Sequence, residues 1–215
     1  MLFFFAQARL LCLIANAVIC CIMKSLLLYS MLLFFCSCSL LQNGGFVAHI
    51  SKTLPDTAYA YALPYAKGTT HRLWQGYHSV FSHYGNMAVD FKMKRGTPVH
   101  AARGGVVVVV VDWNKNGGLG RRFINKENSI SIRHSDSTFA HYLHLQYKSA
   151  AVAVGDTVKE GRVIGLSGHT GFSAFPHLHF ELTKGLQKGK NEVPFRFKTE
   201  QGVLFLQPLR RYKAL

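Results

Sequence analysis

Six consecutive valines, Val106 to Val111, constrain the fold of this chain more than any other feature of its sequence. β-Branched side chains favour extended backbone, and an unbroken apolar run on a strand places apolar groups on both faces. We therefore predict a strand over Gly105 to Trp113 that lies in the centre of a sheet. Around it, short runs rich in Val, Ile, Phe and Tyr alternate with Gly, Asn, Asp and Pro, and no long stretch has helical periodicity. This pattern predicts a mainly β domain.

The other predicted strands are short apolar or alternating runs bounded by turn residues. They are Met87 to Phe91, Pro98 to Ala102, Ser129 to His134, Thr138 to Leu145, Arg162 to Ser167 and His177 to Thr183. Beyond them, Glu192 to Leu215 carries phenylalanine and leucine among basic residues. We expect this C-terminal stretch to return to the sheet.

Residues 1–41 form a leader that differs in composition from the rest of the chain. It is almost wholly apolar, and its only charges are Arg9 and Lys24. The two apolar runs on either side of Met23 are shorter than the ~20 residues that a membrane-spanning helix needs, and each suits the core of a signal peptide. We expect an export signal, read from Met1 or from Met23. A membrane anchor made of the whole leader is the alternative.

All cysteines of the chain lie in this leader, at Cys12, Cys20, Cys21, Cys36 and Cys38. The remaining domain therefore has no disulfide framework and no thiolate to bind a metal or act as a nucleophile. Cys38 is a candidate for lipidation, but the triplet before it matches a lipobox poorly. We interpret it as an ordinary apolar leader residue.

The chain carries a net charge of +15 at pH 7, and nearly all of this excess lies beyond the leader. A field of this sign attracts polyanions in general. The lysines and arginines are scattered, without a recognition-helix or zinc-finger pattern, so nucleic acid is not the expected partner. For an exported protein, an anionic envelope polymer or a lipid headgroup fits better.

Histidine is unusually frequent, with 11 residues against 10 acidic ones, and the informative histidines are those with fixed mutual spacing. His177 and His179 are two apart on a predicted strand, so both imidazoles project to one face. Tyr142 and His144 repeat this arrangement on another predicted strand. We interpret the histidines without such spacing as ordinary polar residues: His49, His71, His78, His100, His134, His141 and His169.

His83 and Asp90 flank a turn and the start of a third predicted strand. They add one imidazole and one carboxylate to the possible metal ligands. Two histidines and one aspartate from three sheet positions form a donor set for catalytic zinc, which keeps a fourth position for water. The chain has no HExxH helix, and Glu181 is the only glutamate near the histidines in the sequence. Proton transfer is therefore expected from histidine. An HxH strand alone would be ambiguous, since cupins and other β folds use it too.

Five segments carry a specific resemblance to a known family. They are SHYGNMAVDF at 82–91, GTPVHAARGGVV at 96–107, YLHL at 142–145, VGDTVKEGRVIGLSGHTG at 154–171 and PHLHFEL at 176–182. In order and spacing they resemble the lysostaphin-type, or LytM-like, zinc metalloendopeptidases, over about residues 75–183. The resemblance implies a mainly antiparallel β fold of the lipoyl-like barrel-sandwich type, with a groove in the sheet that holds Zn²⁺ near its floor.

This resemblance also implies roles for individual residues. His83, Asp90 and His179 match the zinc ligands, while His144 and His177 match the pair that handles the catalytic water and the developing oxyanion. Which of that pair is the general base stays open. The commonest first motif of the family spaces its His and Asp more closely than here, so the first ligand is less certain than the other two. Its rival is His78.

By the same resemblance, the chain is expected to be an exported peptidoglycan hydrolase that cuts peptide cross-links or stem peptides. It would then divide into a signal peptide or anchoring leader (1–41), a lead-in segment (42–74) and a zinc metallopeptidase domain (75–215). The first alternative is a catalytically inactive relative that binds the wall and regulates other hydrolases. The second is a carrier-like β module, because the hairpin in 155–165 also occurs in biotinyl and lipoyl domains. A complete set of expected ligands favours the enzyme.

Overall fold

The computed structural model describes residues 59–79 and 81–215 of the chain. The predicted leader with all five cysteines, and the lead-in as far as residue 58 with His49, lie outside the described residues. Among the residues described, no helix is long and apolar enough to cross a bilayer. The same residues form fifteen strands and one short 3-10 helix, Arg121–Phe123.

The largest element is an eight-stranded sheet in which every pairing is antiparallel. Its strands, in spatial order, are β15 (Arg211–Lys213), β2 (Thr70–Gln75), β3 (Ala88–Lys92), β12 (His177–Thr183), β8 (Phe139–Leu145), β7 (Asn128–Arg133), β5 (Gly105–Val111) and β9 (Thr157–Val158). The prediction of a mainly β, antiparallel domain is thus confirmed. The observed bounds of β12 are those predicted, and β15 returns the C-terminal stretch to the sheet.

Three smaller sheets complete the described secondary structure. One joins β1 (Ala60–Tyr61), β13 (Arg196–Thr199) and β14 (Gly202–Leu204); the others pair β4 (Pro98–His100) with β10 (Val163–Leu166), and β6 (Gly117–Gly118) with β11 (Gly171–Phe172).

The valine strand β5 does not occupy the predicted central position. It is the seventh of eight strands, and its outer neighbour β9 pairs with only Gly105 and Val106. Of the six valines only Val107 is fully buried. The run of valines reflects the preference of β-branched residues for extended backbone, and a partly exposed strand satisfies that preference as well as a central one.

The core lies on one face of the large sheet and is built by strict alternation along β12. Leu178 and Phe180 are fully buried, whereas the intervening histidines face the other side. The Phe180 ring packs edge-on against Phe195 and tilted against Phe197, with ring centroids 5.1 and 5.6 Å apart. Because β13 contributes Phe197, these contacts hold the small sheet on the large one. Truncation of a buried phenylalanine of this kind costs about 3–5 kcal/mol.

A β-bulge in β2 changes the direction of side chains near the face of the sheet opposite the core. In its pairing with β3, Leu73 lies opposite Phe91 and Gln75 opposite Asp90, so Trp74 is the extra residue. A bulge re-aims side chains at the point where pairing is interrupted. The sequence pattern predicts no strand before Met87, because Thr, His, Arg and Gln in β2 give neither alternation nor an apolar run. The core contacts of Leu73 stabilise it.

Candidate metal centre

The sheet register brings two predicted metal-site residues together. On β12, His177 and His179 project from the face opposite the core, and His179 lies directly opposite Asp90 of β3. Cross-strand partners in an antiparallel pair have side chains on the same face and in contact. The spacing of HxH and the pairing of β3 with β12 are therefore sufficient to place a carboxylate beside the imidazoles.

One carboxylate oxygen of Asp90 is the centre of the cluster. Asp90 Oδ1 lies 3.0 Å from Nδ1 of His179, 3.3 Å from Nε2 of His83 and 3.7 Å from Nε2 of His177. The other oxygen, Oδ2, accepts a hydrogen bond from the Gln75 amide at 2.6 Å. Since Gln75 fixes one oxygen, the other remains directed at the histidines.

His83 reaches the cluster from the loop between β2 and β3. Its Nδ1 is 3.2 Å from the carbonyl oxygen of Gly76, and since a carbonyl only accepts, Nδ1 carries the proton. In the neutral ring, Nε2 then presents a lone pair. This atom is buried and makes no hydrogen bond within the described part of the chain, and its contact with Asp90 is not aligned as one. A buried acceptor without a donor is costly unless a cation fills the space.

These three residues form a group that can hold a metal ion. One donor atom each from His83, Asp90 and His179 lies within 4.8 Å of the others. Two imidazoles and a carboxylate suit Zn²⁺ and leave a coordination position open. The lone pair of His83 fits this interpretation. His78, the alternative first ligand, is not a member of the group that the described residues form.

His144 enters the site through an unusual backbone conformation. In the pairing of β12 with β8, Leu143 lies opposite His179 and Tyr142 opposite Phe180, so Tyr142 belongs to the core face. Strict alternation would send His144 to the core as well. Instead its φ of 61° places it in the left-handed region, which turns the side chain into the groove. The prediction that Tyr142 and His144 share a face was therefore wrong.

His144 and His177 form an adjacent pair with the same tautomer. Their ring centroids are 4.6 Å apart. Nδ1 of His144 donates to the carbonyl of Thr170 at 2.7 Å, and Nδ1 of His177 donates to the carbonyl of Phe175 at 2.8 Å. Both Nε2 atoms are thereby left as proton acceptors. The loop between β10 and β12 supplies both carbonyl groups.

Burial and charge set the protonation of the cluster. Burial alone would raise the pKa of Asp90, but the adjacent His83 and His177 and a hydrogen bond from His179 hold it well below its usual range. Burial lowers the pKa of His177 and lowers that of His144 far below its ordinary value. Burial would lower the pKa of His179, but two neighbouring carboxylates raise it to about 10. A metal ion that binds here must displace this proton.

A second polar layer lies behind His179 on the same face of the sheet. Nε2 of His179 is 3.7 Å from an oxygen of Glu181, which also accepts a hydrogen bond from the Gly189 amide at 2.9 Å. Beside it, His141 is fully buried between the hydroxyls of Ser131 and Thr183, at 2.7 and 2.8 Å. From its sequence context alone, His141 is interpreted as an ordinary polar residue, and Glu181 has no assigned role. Only the sheet register shows that both belong to this layer.

The cluster lies in a groove of about 540 Å³ with aromatic walls. The rings of Trp74 and Phe175 meet edge-on, 5.2 Å apart. Phe81 and Leu119 are 78% and 67% exposed at the rim, and Phe172 is also exposed. The sequence pattern assigned none of these residues to the site, because loops, the bulge in β2 and the short strand β11 bring them together. A groove with apolar walls and a few convergent polar groups is typical of a ligand-binding site.

Known proteins are similar to this chain over the same region. It is 37% identical to the glycyl-glycine endopeptidase ALE-1 of Staphylococcus capitis over 123 residues, 56% of this chain and 30% of the relative. It is 42% identical to lysostaphin of Staphylococcus simulans over 122 residues, 56% of this chain and 22% of the relative. With the peptidoglycan DD-endopeptidase ShyC of Vibrio cholerae it shares 38% identity over 105 residues, 48% of this chain and 22% of the relative.

The chain matches less than a third of the length of these relatives. The family model of Peptidase family M23 matches residues 75–194, which is more than half of the chain. That range contains every residue of the histidine and aspartate cluster. The chain therefore belongs to Peptidase family M23.

Proposed function

We propose that this protein is a zinc-dependent endopeptidase that hydrolyses peptide cross-links or stem peptides of bacterial peptidoglycan. The observation that carries this proposal is the convergence of a three-residue metal group with a pair of histidines of one tautomer in a single groove. A wall-binding module without activity has no use for that pair. The names of the relatives, which include glycyl-glycine and DD-endopeptidases, agree with the substrate class.

His83, Asp90 and His179 would hold Zn²⁺, which supplies Lewis-acid polarisation of a carbonyl group and a more acidic water. Asp90 is oriented by Gln75, and His83 by the carbonyl of Gly76. Such partners behind the ligands fix their direction before the metal binds.

His144 and His177 would transfer the protons of the reaction. Each presents an unprotonated Nε2 to the groove, because its Nδ1 proton is committed to a backbone carbonyl. One of them accepts the proton of the attacking water and returns it to the leaving amine as the bond breaks. The other would first have to take a proton from solvent at its Nε2, and could then donate a hydrogen bond to the developing oxyanion.

The remaining assignments follow from sequence composition and from the family resemblance. We place residues 1–41 as an export signal or membrane-anchoring leader, 42–74 as a lead-in segment and 75–215 as the catalytic domain. The enzyme would then act in the periplasm, in the cell envelope or outside the cell. Its excess of positive charge would favour contact with anionic envelope polymers or lipid headgroups.

Digestion of purified wall sacculi tests the proposal directly. The zinc-loaded protein should release new peptide termini, which mass spectrometry of the soluble products identifies together with the bond cut. Protein treated with a chelator should release none until zinc is restored. If the loaded protein binds sacculi but opens no peptide bond, an inactive regulator of other hydrolases becomes the better description.

A further inference from the structure

A row of positive side chains crosses the sheet and ends at His177. Arg211 of β15 pairs with Arg72 of β2, Arg72 pairs with Lys92 of β3, and Lys92 pairs with His177 of β12. Directly paired residues project to the same face, so the whole row lies on the groove side of the sheet. Like charges directly opposite one another destabilise a sheet. Three cations on three adjacent strands form a site that attracts a ligand of opposite charge.

These cations line a second pocket, of about 530 Å³, beside the groove. Lys94 adds a fourth positive side chain to its wall, and no Asp or Glu lines it. Phe175 lines both the pocket and the groove, so the two spaces are neighbours. The pocket is thus a positively charged extension of the groove.

No carboxylate of the described residues neutralises the row. Arg72 donates through Nε to the carbonyl of Leu209 at 3.2 Å, which leaves the rest of its guanidinium group available. Nζ of Lys92 lies 5.7 Å from the ring of Trp74 and 5.8 Å from that of Phe175. These are rings of the groove wall, so the ammonium group stands where the groove meets the pocket. Contacts with ring faces leave its positive charge unpaired.

We propose that the row Arg72, Lys92 and Arg211 is a subsite for a carboxylate group of the peptide substrate, at a distance from the bond that is cut. The inference rests on the proposed function, because the ligand is a part of that substrate. A guanidinium group binds a carboxylate through two parallel hydrogen bonds, and the ammonium group of Lys92 adds a point charge. The shared wall at Phe175 favours a group of the same peptide over a separate polymer.

Calorimetric titration can test the subsite without turnover. The full chain, zinc-loaded in an uncharged detergent and carrying His144→Ala, is titrated at low salt with cross-linked peptides released from sacculi. The same peptides with their carboxylates amidated serve as the comparison. We expect amidation to weaken binding about tenfold, the size of a lost charge-assisted hydrogen bond.

Two further proteins locate the effect. Adding Arg72→Gln and Lys92→Gln to the same background should bring the ratio of the two dissociation constants close to one, and a thermal unfolding curve checks that this protein is folded. The matched control is Lys159→Gln, an exposed lysine after β9 at the opposite edge of the sheet. It should keep the ratio of the parent.

Three outcomes would overturn the subsite: equal affinity for both peptide forms, a preference that survives the double substitution, and no binding of either form. A fourth outcome comes from an experiment with a glycerol phosphate polymer as the probe. If the double substitution abolishes polymer binding while amidation has no effect, the row serves a separate polymer and the inference is wrong. Failure of the wild-type protein to cleave sacculi counts against the proposed function alone, because the binding ratio needs no turnover.

Discussion

The imidazole rings of His144 and His177 lie 4.6 Å apart although their strands reach that point by different means. His177 is there by ordinary strand alternation, whereas His144 depends on a φ of 61°. Both proton acceptors face the groove beside the metal group but outside it. This separation of roles leads to the first prediction.

Replacing His144 or His177 with alanine should leave zinc bound and reduce the rate of peptide cleavage on the order of 10²–10⁴, the usual contribution of a general acid or base. The measurement combines elemental analysis with the rate of release of peptide termini from sacculi. Replacing Asp90 or His179 with alanine should instead remove tight zinc binding. Undiminished activity of the first two variants would refute their role in proton transfer.

The left-handed backbone at residue 144 predicts that glycine is more stabilising than alanine at this position, which is the reverse of their order in a regular strand. In a regular strand, glycine is less stable than alanine by about 0.5–1 kcal/mol, while alanine in the left-handed region costs roughly 1–2 kcal/mol. His144→Gly should therefore be more stable to urea than His144→Ala. At Ser131, within β7, the same pair should show the ordinary order, with alanine the more stable. A normal order at both positions would show that residue 144 does not need this conformation.

Glu181 should strengthen zinc binding through His179. Its carboxylate is 3.7 Å from the ring nitrogen that faces away from Asp90, which is the place of an orienting partner. Loss of such partners typically weakens metal binding 10- to 100-fold. We expect Glu181→Gln to do so in competition with a chelator. Glu160→Gln is the control, because Glu160 is exposed and pairs with Lys198. Equal zinc affinity in both variants would remove Glu181 from the site.

His141 predicts a loss of stability in acid. Burial lowers its pKa to about 4, whereas the unfolded chain binds the proton near 6.5. Between these values the unfolded state holds more protons, so stability is full above pH 6.5 and falls as the pH drops towards 4. The loss is of order 3 kcal/mol. In urea unfolding at pH 7.5 and 4.5, His141→Gln should show a correspondingly smaller difference than the parent. If the stability of both proteins changed equally between the two pH values, His141 would not be the cause of the loss in acid.

Sequence reasoning succeeds where a residue's position follows from alternation alone. The HLHFEL segment carries its polar residues at every second position, and β12 has the predicted bounds with the predicted faces. Strong local periodicity of this kind needs no tertiary information. The composition of β5 likewise predicted a strand, but its place in the sheet depends on which neighbours pair with it. That is why the central position assigned to the valines was wrong.

The parts of the site that the sequence does not reveal depend on irregular backbone. The left-handed backbone at His144 interrupts the alternation on which the prediction for Tyr142 and His144 rested. Trp74 is directed to the groove by a bulge, and a bulge leaves little trace in a pattern of apolar residues. The role of Glu181 becomes visible only when the register of β12 against its neighbours is known. Irregular backbone and strand register are set by tertiary packing, which local propensity does not encode.

The loop between β10 and β12 holds the protons of both groove histidines through its main chain. Gly171, the first residue of the short strand β11 within this segment, has a φ of 76°, and any larger side chain would meet the backbone of Glu127. The acceptors are the carbonyls of Thr170 and Phe175, and no side-chain substitution deletes a carbonyl. The tautomer of both histidines is thus determined by the conformation of this segment of main chain. A chain with all five cluster residues intact but this loop displaced would present its imidazoles in unselected tautomers.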